Sequence, residues 1–239
     1  MSSEHRFPTV QVALVGLFVT ALVTAQVTAS KLLAFQLPFS LPVAGDSLIL
    51  PGAALAYALT FFASDCYAEL YGRRPATVMV NVGFAMNLVL LALVYGTIAA
   101  PIFQGSPVGQ GEFASVLGAS TSVVLGSLGA YVVSQNFDVV AFHALRDLTD
   151  GRHLWLRNVG STATSQLLDT VIFITVAFWA APQALGGRVT PLAALPALIV
   201  GQYVLKLAIA VLDTPLVYAV VAAARKSGTS VAHYTSDRA

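Results

Sequence analysis

Six stretches of this chain are each long and apolar enough to cross a lipid bilayer, and no other feature limits its fold as strongly. They run over about 9–33, 48–70, 77–102, 113–145, 161–181 and 192–224. A spanning helix needs about 20 predominantly apolar residues, and hydrocarbon offers no partners for free backbone N–H and C=O groups, so apolar runs of this length form helices. Of the 239 residues, 57% are hydrophobic and 10% charged, whereas a soluble domain carries about 25% charged residues. The expected class is an all-α integral membrane protein with six transmembrane helices. Ala25, Thr28 and Ala29 imitate a signal-peptide cleavage region. The apolar run before them exceeds the usual ~7–15 residues of a signal core, which keeps the segment as a helix.

Lys and Arg accumulate on the cytoplasmic flanks of membrane helices. With the N-terminus inside, nine fall on the inner side (Arg6, Arg73, Arg74, Arg146, Arg152, Arg157, Arg225, Lys226 and Arg238) and two outside (Lys31 and Arg188), with Lys206 inside a helix. The predicted topology is therefore N-in/C-in, in a multi-pass protein of the cell membrane. One transmembrane domain covers 1–226, and 227–239 is a cytoplasmic tail expected to be disordered. A net charge of +1 provides no concentrated basic face for nucleic acid. Cys66, the single cysteine, has no disulfide partner in the chain and no metal-ligand neighbours at useful spacing. Neither a metal nor a cofactor is expected.

The outer segment LLAFQLPFSLPVAGDSLILP, Leu32 to Pro51, contains three prolines and a Gly-Asp turn signal yet remains largely apolar, so it is expected to fold back on the bundle as a packed connector or a lid. Small residues recur four apart at Ala21, Ala25 and Ala29, and again at Gly118, Ser122, Gly126, Ala130 and Ser134. Small stripes let helices approach closely, within the chain or against a docked partner. Pro215, after Asp213 and Thr214, removes a backbone hydrogen bond and bends the last helix, with the kink expected to face inward.

Two short segments agree at five of nine positions: SQNFDVVAF, Ser134 to Phe142, and SQLLDTVIF, Ser165 to Phe173. In each, Ser precedes Asp by four residues and Gln precedes it by three, which puts all three on one helix face. Consecutive spans run in opposite directions, so the copies are antiparallel neighbours. Asp138 and Asp169 each lie about eight residues from the inner boundary, roughly 12 Å deep at ~1.5 Å per residue. A carboxylate at the centre of a membrane helix costs roughly 2.5–3.5 kcal/mol, and such groups mark solute or ion paths.

At the inner end of the second span, Asp65, Glu69 and Arg73 follow at intervals of four, a ladder in which Glu69 and Arg73 read as a structural ion pair. Gln26, Asn81, Asn87, His143, Gln202, Lys206 and Asp213 are the other intramembrane polar groups. A lone Asn or Gln there is more often interhelical glue than ligand contact, and Lys206 and Asp213, seven apart on the same face, are each placed to pair with a carboxylate on another helix. A carboxylate matches two adjacent N–H donors, as on the N1 and exocyclic-amine edge of a guanine-like ring. A Gln amide offers a donor and an acceptor for the opposite edge. Phe142, Phe173, Trp155 and Tyr203 are candidates to stack on a flat heterocycle. The residues alone lead to a small, flat, hydrogen-bonding solute, and cation coupling would use Asp as well.

The segments SDCYAELYGRRPA, SQNFDVVAFHALRD and GRHLWLRNVGSTATSQLLDTVIFITVAF, with the combination WLRNxGSTxxSQxxDTxxF, resemble the queuosine-precursor transporters of the vitamin uptake transporter family. The resemblance implies import of 7-cyano-7-deazaguanine or 7-aminomethyl-7-deazaguanine for salvage into modified tRNA. It also implies a plan similar to the six-helix substrate-binding subunits of energy-coupling-factor transporters. It carries Asp65, Glu69, Gln135, Asp138, Arg157, Asn158, Ser161, Thr162, Gln166 and Asp169 over as motif positions. Substrate contact is expected from Gln135, Asp138, Gln166, Asp169, Asp65, Ser134, Ser165 and Asn158, in a pocket between the fourth and fifth helices. Glu69, Arg73 and Arg157 are expected to be structural or gating residues. The alternative is a binding subunit for a vitamin or nucleobase-like solute that needs a separate energising complex, and a homodimer is also compatible. An enzyme is not expected, since HExxH, GxSxG and Cys/His clusters are lacking.

Overall fold

A computed structural model describes residues 9–149 and 154–226; within them, the side chains of 139, 142, 143, 146 and 154–159 lie outside the description. Helix α1 (Thr9–Thr28) leads into strands β1 (Leu32–Leu41) and β2 (Gly45–Pro51), followed by α2 (Ala53–Tyr71) and α3 (Arg73–Ala99). The short α4 (Gln110–Leu117) precedes α5 (Ser120–Leu148) and α6 (Leu154–Thr175). A π-helical turn (Val176–Ala180), α7 (Ala181–Leu185), a 3-10 turn (Leu192–Ala194) and α8 (Leu195–Lys226) complete the described chain. The expected tail, 227–239, lies outside the described residues.

Among the described residues, five helical stretches are long and apolar enough to cross a membrane: Thr9–Thr28, Arg73–Ala99, Gln110–Asp138, Gly160–Leu185 and Leu192–Lys226. The expected second span, helix α2, is not among them; its 19 residues include Asp65 and Glu69. Val12, Leu55, Val78, Leu93, Val132, Val211 and Leu212 are exposed on the helix exteriors, an apolar surface suited to lipid. The chain is a multi-pass membrane protein.

Two packed clusters hold the helices together. In one, Leu14, Phe18 and Leu22 of α1 meet Cys66, Tyr67 and Leu70 of α2, Met79 of α3 and Val217 of α8. The other joins Ala25 of α1, Ala29 in the turn after it and Ala53 of α2 with Val123 of α5, Phe173 and Ile174 of α6, and Leu198 of α8. Ala21, Ala25 and Ala29 are all buried, so this small stripe is spent on packing inside the fold and is not free to dock a partner. A Cβ built on Gly126 would stand 2.9 Å from Ala177 Cβ, which shows that the α5 stripe serves close approach to α6 and its π-turn.

Several expectations need correction. The all-α reading meets one exception: the outer segment forms an antiparallel hairpin with Leu33 opposite Leu50 and Phe35 opposite Leu48. Prolines at 38 and 42 disfavour a helix here, and the register slips between Gln36 and Leu41, around Pro38, which has no N–H to donate. Val43 and Gly45 adopt left-handed backbone at the turn. The hairpin is docked on α8, where the carbonyl of Ile49 rests so close to Gly201 that a Cβ would collide with it.

The Asp65, Glu69, Arg73 ladder does not run along one helix. Gly72 has φ 90° and separates α2 from α3, so Arg73 opens the next helix instead of continuing the face of Glu69. The fourth span is broken between α4 and α5, and the fifth runs on to Leu185 through the π-turn. Pro182 cannot donate to Phe178, and the N–H of Thr190 takes that carbonyl at 2.9 Å, which satisfies the backbone group the proline frees. Pro215 is exposed, whereas Asp213 two residues earlier is 7% exposed. The inward group of the last helix is thus the aspartate, and the proline ring faces out.

Candidate functional site

The two SQxxD segments lie side by side on α5 and α6. The Ser134 hydroxyl donates to Asp169 Oδ1 at 3.3 Å, and the Ser165 hydroxyl donates to Asp138 Oδ1 at 3.1 Å. The reciprocity has a simple origin: within each copy Ser and Asp are one turn apart on the same face, and running the copies antiparallel places each Ser opposite the other copy's Asp. A third helix enters at the same point. Lys206 of α8 places Nζ 2.5 Å from Asp169 Oδ2, with side chains 8% and 23% exposed respectively. The lysine gives Asp169 the charge partner that a carboxylate at membrane depth requires.

A cavity of about 170 Å³ opens at this ion pair. Asp169, Lys206, Ser134, Gln135, Gln166 and Gln202 supply polar groups to its wall, joined by Ser64, Thr60, Tyr57 and Ser127. Phe18, Phe61, Phe84, Tyr131 and Phe173 supply aromatic surface, with Leu22, Val80 and Ala130 between them. Phe84 and Tyr131 stack with ring centroids 4.5 Å apart and planes at 38°. The volume falls below the ~300–1,000 Å³ of drug-sized ligand sites, so the space suits a small solute.

Among the expected site residues, Ser134, Gln135, Gln166 and Asp169 come together on this wall. Asp138 and Ser165 form the second half of the reciprocal pair but are not cavity-lining. Asp65, Glu69 and Arg73 are exposed and are not cavity-lining. Arg157 and Asn158 belong to the first turns of α6, with side chains outside the described residues, as are those of Phe142, His143 and Trp155. Of the proposed stacking residues, Phe173 lines the cavity, while Tyr203 uses its hydroxyl on the Ala163 carbonyl at 3.2 Å.

The site is wider than a cleft between two helices, since α1, α2, α3 and α8 also contribute to it. Lys206, Gln202, Thr60, Ser64, Ser127 and the aromatic residues of α1, α2, α3 and α5 are among the residues that sequence reasoning did not assign to it. Their signal was partial: Gln202 and Lys206 stand one turn apart in an apolar helix, which marks a polar face without saying which carboxylate Lys206 meets. The Oε1 of Gln202 is buried without a hydrogen-bond partner among the described residues.

A pocket with apolar and aromatic walls and a few fixed polar groups, inside a multi-pass membrane protein, defines a membrane transporter or solute-binding subunit. Residues 51–220 match the family described as "Putative vitamin uptake transporter", and the chain belongs to that family. It is 36% identical over 166 residues to the "Probable queuosine precursor transporter" of Bacillus subtilis (strain 168), covering 68% of each chain. It is 28% identical over 144 residues to the "Queuosine precursor transporter" of Escherichia coli (strain K12), covering 60% of this chain and 62% of that one. A "Probable queuosine precursor transporter" of Haemophilus influenzae is 26% identical over 128 residues, 52% of this chain and 50% of the relative. No solved structure matches the chain.

Proposed function

We propose that this protein imports queuosine precursors of the 7-deazaguanine type, 7-cyano-7-deazaguanine or its aminomethyl form, for salvage into modified tRNA. The observation that carries the reading is the Asp169 carboxylate on the wall of an aromatic-lined cavity, in a chain whose relatives are named for queuosine precursor transport. Asp169 has about four lone-pair sites and, among the described residues, uses two, for Ser134 and Lys206. The remaining two suit the N1–H and 2-amino groups of a guanine-like ring. Gln135 and Gln166 offer donors and acceptors to its other edges, and the aromatic walls take its faces.

In this reading 1–226 is one domain of six membrane helices with both ends cytoplasmic, α2 being the sixth span. Its plan is that of the substrate-binding subunits of energy-coupling-factor transporters. Import proceeds by alternating access, with the hairpin over the outer mouth. Expression in cells that neither make nor import the precursors tests it: supplied with 7-cyano-7-deazaguanine, such cells should regain queuosine in their tRNA. Unmodified tRNA despite normal expression of the protein would refute the reading. Accumulation by proteoliposomes holding this protein alone would exclude dependence on a separate energising complex.

A further inference from the structure

Lys206 is more than a counter-ion hidden in the core. Its ammonium lies on the cavity wall beside Asp169, and of its three N–H donors one is engaged among the described residues, by Asp169 Oδ2. The contact orients the ammonium. With one N–H held by the carboxylate, two remain for a solute that binds beside the Asp169 lone pairs left open among the described residues. Any solute whose N–H groups meet Asp169 must therefore present something to Lys206 at the neighbouring position. An acceptor there completes the ammonium's hydrogen bonds; a second donor leaves buried N–H groups unpaired on both sides, and unpaired buried polar groups are expensive.

We infer that Lys206 is a specificity-determining residue: together, Asp169 and Lys206 read an acceptor–donor–donor edge in which a ring carbonyl accepts from Lys206 while the adjacent ring N–H and exocyclic amine donate to Asp169. This rests on the substrate reading above and deepens it. The pair selects 6-oxo-2-amino heterocycles of the guanine type and rejects adenine-type rings, which place an amine where the carbonyl should be and a bare nitrogen where Asp169 needs a donor. Gln202, one turn before Lys206 on the same helix, also lines the cavity and extends the polar strip.

Equilibrium binding to the purified protein tests this with two probes. One is 7-cyano-7-deazaguanine; the other is its 6-thio analogue, which keeps both N–H donors and replaces the carbonyl oxygen with a weakly accepting sulfur. The wild-type protein is expected to prefer the oxo form by about tenfold or more. Lys206→Met should bring that preference to within about twofold, and Lys206→Arg, which restores a donor, should keep most of it. A merely structural lysine would weaken both probes together in Lys206→Met and leave their ratio as in wild type, which would overturn the inference. If Lys206→Met does not fold, the wild-type protein decides: similar affinity for the two probes overturns the inference, and a tenfold preference retained by Lys206→Arg supports it. An analogue without the 2-amino group probes Asp169 alone, so equal binding of that analogue by wild type refutes the substrate reading separately.

Discussion

Lys206 on α8 and Asp169 on α6 meet at 2.5 Å on the wall of a cavity inside a membrane protein. Asp169 is also the acceptor for Ser134 of α5, so three helices converge on one carboxylate. Movement of α8 relative to α6 would break or reform that contact, which makes the pair a natural place for solute binding to be felt by the rest of the bundle.

Removing the lysine alone leaves an uncompensated carboxylate. A fully buried pair broken in this way costs about 3–5 kcal/mol. Asp169 keeps 23% exposure, so Lys206→Met should cost less, about 1–3 kcal/mol. The double variant Lys206→Met/Asp169→Asn should recover more than half of that loss in thermal unfolding in detergent and remain inactive in uptake. A double variant whose loss equals the sum of the two single losses would show that the residues do not act as a pair.

The reciprocal serine bonds look symmetric but face different surroundings. Ser134 supports the carboxylate in the cavity; Ser165 supports Asp138, which is not cavity-lining. Ser134→Ala is expected to weaken solute affinity by about fivefold, the worth of one hydrogen bond near 1 kcal/mol. Ser165→Ala and Asp138→Asn should lower thermal stability and leave affinity within about twofold of wild type. Titration of each variant with labelled 7-cyano-7-deazaguanine separates the two cases, and equal affinity losses for Ser134→Ala and Ser165→Ala would remove the distinction.

Two glycines set how closely the elements around the cavity approach. Gly126 lies against Ala177, and Gly201 against the Ile49 carbonyl of the hairpin. Gly201→Ala forces α8 away from backbone that has no side chain to rotate, a cost of about 1–3 kcal/mol. Because Gly201 directly precedes Gln202, the variant should also reduce uptake. Gly126→Val should act mainly on stability. Wild-type melting temperature and uptake in Gly201→Ala would contradict this placement of the hairpin.

The reciprocal pairing was legible in the sequence because it depends only on helical period and on antiparallel neighbours. Spacings of three and four fix which residues share a face, and equal depth brings the two copies level. That Lys206 would pair with a carboxylate on another helix was legible; which carboxylate was not. The lysine sits 37 residues beyond Asp169, and only the packing of α8 on α6 brings them together. The hairpin was hidden for a related reason: its apolar composition resembles the spans, and it docks on α8 at Gly201, far along the chain. The aromatic wall was also unreadable, because Phe84 and Tyr131 are ordinary members of apolar helices until α3 and α5 place them on the same space. The i, i+4 ladder from Asp65 to Arg73 misled because a single glycine with φ 90° ends the helix inside it.

Uptake of labelled 7-cyano-7-deazaguanine by proteoliposomes, comparing Asp169→Asn with Asp138→Asn and wild type, tests the central claim most directly. Asp169→Asn retains the shape of the side chain but replaces an acceptor pair and its charge. Uptake should fall by about tenfold or more, while Asp138→Asn keeps most of the wild-type rate. Uptake at the wild-type rate by a folded Asp169→Asn protein would contradict the assignment of this carboxylate to the solute.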